Sequence, residues 1–113
     1  MSKRTPGLLV EDIQESAEKI LEYTRGMSFD QFSDDHKTVD AVVRNFEIIG
    51  EASNLLPDEI KDKYPEIDWH RIRGFRNRIV HDYFGVDLQI VWKIIFDHIP
   101  GLISEISKII RYF

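Results

Sequence analysis

The stretch RNRIVHDY, residues 76 to 83, places an arginine, a histidine and a tyrosine at spacings of five and two around the apolar pair Ile79-Val80. Arg76 offers a rigid fork of donors that fits phosphate oxygens and stabilises negative charge developing on them. His81 belongs to the residue type that takes and gives a proton near neutral pH. Together they suit phosphodiester cleavage. RNA brings its own nucleophile, the 2′-OH, so the chemistry needs no metal, no cofactor and no covalent residue. DNA lacks that hydroxyl and is not an expected partner. The chain has no cysteine, and its four histidines, His36, His70, His81 and His98, do not fall at ligand spacing on one helix.

The helix that must carry these groups starts near Asp68, a natural N-cap, and ends before Gly85. With residue 76 at zero and about 100° per residue, Trp69, Ile72, Ile79, Val80 and Tyr83 fall within about 60° of Arg76, and Phe75 near −100°. Arg76 then sits at the centre of an apolar arc, where an unpaired guanidinium is costly, so it should be paired or face an interface. His70, Asn77 and His81 lie at about 100° to 140°, beside Gly74. A glycine inside a helix often marks close approach by another backbone or a ligand. Arg76 and His81 border one cleft only if it wraps the helix edge, and a second subunit would supply the missing wall. The plainer reading is a solvated arginine-rich face, a histidine favoured by the helix dipole and a core tyrosine with its hydroxyl at the surface.

The other elements read as helices too, and no stretch alternates long enough for a strand. A first helix spans about Leu8 to Thr24 and stops at Gly26. A short turn follows, with Ser28 or Asp30 as cap. A second helix, capped by Ser33 or Asp34, runs to about Leu56 with Val39, Val42, Val43, Phe46, Ile49 and Ser53 on one face. Pro57 ends it or begins a short helix through Lys63. Tyr64-Pro65 breaks the chain again. A fourth long helix begins near Asp87, and Pro100-Gly101 should kink or break it before a last helix to Tyr112. Short connections between amphipathic helices predict an all-α, up-and-down bundle of four or five helices, a single domain over residues 1–113. On the second helix Asp40, Glu47 and Glu51 share a flank beside Gly50, so Glu51 or Glu47 is the candidate partner for Arg76.

The chain has 113 residues and a net charge of −5. That length holds a real core without disulfides. Residues 69–81 carry four arginines and no acid, which leaves the remainder at −9. A local basic patch on an acidic body argues against a general nucleic-acid coat protein. No apolar run reaches the roughly 20 residues that span a bilayer. The N-terminus turns acidic before a signal-peptide core forms, so a cytoplasmic protein away from the membrane is expected.

The Arg76–His81–Tyr83 spacing matches the Rx4HxY motif, and the chain resembles the HepT-like HEPN proteins, toxins of HepT–MntA toxin–antitoxin pairs. LVEDIQESAEKILEYTRG at 9–26 resembles the family's first helix and DAVVRNFEIIGEA at 40–52 its second. YPEIDWHRIRGFRNRIVHDYFGVDLQIVW at 64–92 resembles its central block. The resemblance implies a HEPN-like homodimer with a composite site at the interface. It implies a metal-independent endoribonuclease with Arg76 and His81 as catalytic pair and Asn77 in support. It further implies a nucleotidyltransferase antitoxin resembling MntA, which transfers AMP to Tyr83. Two competing readings remain: a non-catalytic nucleotide- or protein-binding subunit beside a minimal nucleotidyltransferase, and a structural dimerisation domain with a vestigial motif.

Overall fold

Helix α1, Pro6–Thr24, begins two residues before the apolar pattern does. Pro6 has no N–H to leave unsatisfied and its fixed φ suits the first turn, while the Thr5 hydroxyl accepts from the Leu8 N–H at 3.3 Å. The helix ends where Gly26 takes φ +77°, a left-handed conformation that costs glycine little. The computed structural model describes residues 4–75 and 87–113, and among these every regular element is helical.

Helix α2, Phe29–Asp34, opens on a capping box. The Ser28 hydroxyl accepts from the Gln31 N–H, and the Gln31 side chain accepts from the Ser28 N–H. Helix α3, His36–Leu55, is capped by Asp35 rather than by Ser33 or Asp34. Those two belong to the last turn of α2, so the next acid takes the role. The Asp35 carboxylate accepts from the Thr38 N–H at 3.1 Å and from the Thr38 hydroxyl at 2.8 Å. Its own N–H closes α2 onto Gln31 and Phe32. One residue thus ends one helix and starts the next.

Helix α4, Asp58–Lys63, follows Pro57. The chain then turns through Tyr64-Pro65, where the Trp69 indole N–H donates to the Tyr64 carbonyl at 3.1 Å. Residues 69–75 form helix α5, with the Asp68 carboxylate accepting from the Arg71 N–H at 3.0 Å. Helix α6 runs unbroken from Leu88 to Ile109, capped by Asp87, and a 3-10 turn covers Ile110–Tyr112. Of the kink or break expected at Pro100-Gly101, the break does not occur, since one helix spans both residues. Pro100 and Gly101 are exposed while Ile95, Ile99, Leu102 and Ile106 are buried. The lost hydrogen bond therefore lies on the water side, and burial of the apolar stripe carries the helix through it.

α1 packs against both α3 and α6. Val10, Ile13 and Ile20 of α1, Val42, Phe46 and Ile49 of α3, and Val91, Ile95, Ile99 and Ile106 of α6 are fully buried. This is an all-α, HEPN-like bundle with its core on the predicted faces of the long helices. α5 is fixed by Phe75, whose ring lies edge-on to Phe46 of α3 with centroids 5.6 Å apart and stands 6.2 Å from His98 of α6. No helix among the described residues is long and apolar enough to cross a membrane.

The two bonds from Thr38, its backbone N–H first, hold the Asp35 carboxyl below its ordinary 3.8. A carboxyl depressed by folding stabilises the fold above its unfolded pKa, and that contribution is lost as pH falls through the folded value. Asp35→Ala should therefore lower Tm at neutral pH, and the gap to the parent should close as pH falls below 3.8. Thermal melts followed by circular dichroism from pH 7 to acid check this; a gap that stays constant throughout rejects the charged cap.

Candidate functional site

Arg76, Asn77, His81 and Tyr83 lie outside the described residues, so the site is built here from the elements that lead into it and face it. α5 supplies its first half. Ile72 and Phe75 are buried, Trp69 is half-buried, and His70, Arg71 and Arg73 are exposed. The buried direction of these two turns therefore lies between Ile72 and Phe75. Sequence spacing had set Phe75 near −100°, off the apolar arc, yet Phe75 is 4% exposed. Tertiary contact with Phe46 and His98 rotates the buried face toward it.

α5 and α6 enclose an open cleft of about 650 Å³ lined by His70, Arg71 and Gly74 on one side and Lys93, Asp97 and His98 on the other. Arg71 is the lining residue with the most polar contacts described. Its Nη1 stands 3.4 Å from Nδ1 of His98, and its Nε stands 3.6 Å from the Asp68 carboxylate. Nη2 of Arg73 stands 3.4 Å from Nδ1 of His70. A guanidinium only donates, so Nδ1 is the atom placed to accept in each contact. His98, Lys93 and Arg71 were not among the sequence candidates. Their signal is partial: Ile90, Lys93, Ile94, Asp97 and His98 recur at helical spacing on α6, but nothing in the sequence ties His98 to Arg71.

Gly74 opens onto this cleft. A Cβ built on it meets no described atom within 4 Å. Close approach by another backbone is thus not what the described chain shows at this glycine; among the described residues nothing fills the space beside it.

The acids proposed as partners of Arg76 lie on α3. Glu47 is partly exposed and stands 4.0 Å from Arg44 on its own helix, a pair of little energetic weight. Glu51 is exposed. Both line a groove of about 390 Å³ between α3 and the start of α1, together with Arg44 and Arg4. Their pairing with Arg76 falls outside the described residues.

Residues 13–109 match the family described as Ribonuclease HepT-like. The chain belongs to the HepT-like ribonuclease family. It is similar to the protein named "Probable ribonuclease HepT" of Thermococcus cleftensis, 42% identical over 107 residues, covering 95% of this chain and 97% of that one. It is also similar to a protein of Methanocaldococcus jannaschii named "Putative RNase MJ0127", 38% identical over 111 residues, covering 98% of this chain and 92% of that one. A Caldanaerobacter subterraneus protein named "Putative RNase TTE0752" is 37% identical over 108 residues, 96% of each chain. No solved structure was found to match. As a HepT-like family member the chain is an endoribonuclease of the HEPN type, in keeping with the phosphodiester chemistry that Arg76 and His81 suggest.

Because nothing described occupies the space at Gly74, Gly74→Ala should fit without strain and stabilise the helix by roughly 0.5–1 kcal/mol. A rise in the urea midpoint with an unchanged slope is the expected result. A drop would mean that the position is filled by something in the folded protein.

Proposed function

We propose that this HepT-like ribonuclease is the toxin of a HepT–MntA-type pair, a cytoplasmic homodimer that cleaves RNA without a metal and is neutralised by AMP transfer to Tyr83. The observation that carries the reading is the intact RNRIVHDY motif inside a family match covering residues 13–109. The basic segment 69–75 on an acidic chain supports it, since a short positive patch favours a local phosphate contact over coating.

His81 acts as general base on the 2′-OH, and the 2′-oxygen attacks the adjacent phosphorus. The 5′-oxygen leaves with a proton from a second acid, for which the same histidine of a second copy is suited. The products are a 2′,3′-cyclic phosphate and a free 5′-OH. Arg76 stabilises the added charge on the non-bridging oxygens. Asn77 and Glu51, or Glu47 in its place, hold Arg76 in position. AMP on Tyr83 adds bulk and negative charge beside that phosphate, which blocks RNA by repulsion and by filling the site. The nucleotidyltransferase antitoxin supplies the AMP from ATP and releases pyrophosphate.

Arg76→Ala and His81→Ala should each lower RNA cleavage about 10²- to 10⁴-fold while leaving the helical spectrum and the oligomeric state intact. Parent-level cleavage by either variant would show that the residue is not part of the site. Tyr83→Phe should keep cleaving RNA and escape neutralisation. Intact mass after co-expression with the nucleotidyltransferase reads this directly: AMP-sized additions on the parent and none on Tyr83→Phe. An unmodified parent, with active transferase and ATP present, would replace AMP transfer by control through binding alone.

A further inference from the structure

We propose that the cleft between α5 and α6 seats the RNA backbone next to the scissile bond, with Arg71 and Lys93 as its phosphate donors and His98 beside them. This deepens the ribonuclease reading and rests on it.

The donors come from two helices and converge on one opening of about 650 Å³, within the range of sites that hold a small ligand and enough for a nucleotide unit. Arg71 reaches across the cleft to His98, its Nη1 standing 3.4 Å from the ring Nδ1. The Phe75 ring lies on the other flank of His98, centroids 6.2 Å apart. Gly74 leaves the α5 wall bare, so a sugar–phosphate chain can approach the helix backbone.

The acids that line the cleft set the kind of ligand. Asp68 is engaged locally: one oxygen caps the Arg71 N–H and the other faces the Arg71 Nε. Asp97 lines the α6 wall. With two acids facing Arg71 and Lys93, the cleft has no large formal charge, so it is not a general anion trap. Cationic donors beside a carboxylate acceptor suit a ribonucleotide, whose phosphate takes the donors and whose 2′-OH or base amino group is a donor to Asp97. The position fits the same strand that reaches the motif. Arg71 precedes Arg76 by five residues, which even fully extended span at most about 18 Å.

The test uses the full chain carrying His81→Ala, which holds RNA without turnover, and a labelled single-stranded RNA followed by fluorescence anisotropy across a salt series. Arg71→Ala and Lys93→Gln should each weaken binding about three- to tenfold. Each should also flatten the dependence of log K on log salt by about 0.7, the value for one phosphate contact on a single strand. Lys19→Ala, which removes an exposed charge on α1, should change neither beyond the general field. In the active protein the cleft variants should raise KM for RNA and leave kcat unchanged. Parent-like affinity and salt slope in both cleft variants overturn the proposal, as does weakened nucleotidyltransferase binding with RNA affinity retained. The two readings separate cleanly. If the parent cleaves RNA and the cleft variants keep its KM, the cleft fails and the ribonuclease site stands. If no RNA is cleaved yet the cleft variants lose RNA affinity, the catalytic reading fails and the cleft stands.

Discussion

Everything the chain presents to a substrate depends on how Phe75 is packed. Its ring lies edge-on to Phe46 of α3 and beside His98 of α6. A buried aromatic side chain carries a large apolar area and a preferred ring geometry, so such a contact fixes rotation as well as distance. With Phe75 held, α5 can turn only so far about its axis. Ile72 goes inward, Arg71 turns to His98, and Gly74 faces the open cleft. Residues 69–75, which precede RNRIVHDY in the sequence, therefore form a helix whose orientation is set by the core.

The rest of the bundle keeps the partners of Phe75 in place. Phe46 sits among Val42, Val43 and Ile49 on α3, a helix whose start is tied to α2 by Asp35. His98 rides on α6 between buried Ile94, Ile95 and Ile99. α6 stays continuous across Pro100 because its apolar stripe is buried on α1. The short linkers are equally specific. Ser28 and Gln31 close the start of α2, and the Trp69 indole bonds the Tyr64 carbonyl across the Pro65 turn.

Charge follows the same division of labour. The acids spread over the outer faces of α1 and α3, where water solvates them at little cost. The basic residues of 69–75 gather on one short helix against α6. Arg71 there meets an acid and an imidazole together, so its donors are aimed rather than merely solvated. A family member that handles RNA needs that direction, because a chain of net −5 gains little from its overall field.

The sequence by itself determined the helical class, the buried faces of the long helices and the family. Apolar spacing of 3.6 and strong punctuation by Gly26, Pro57 and Pro65 are local signals, and local signals survive without a partner. The Rx4HxY spacing is local too, so the motif could be read directly. Asp35 took the α3 cap because α2 had already claimed Ser33 and Asp34, a competition between adjoining helices. Two matters were decided only by tertiary structure. Pro100 was carried through because burial outweighed one missing hydrogen bond. Phe75 became a core residue because Phe46 and His98 meet it there. The cleft belongs to the same class: Arg71 and His98 are 27 residues apart, and only packing α5 against α6 makes them neighbours. Helical periodicity reports which way a side chain points from its own axis; it carries no information about which other helix waits on that side.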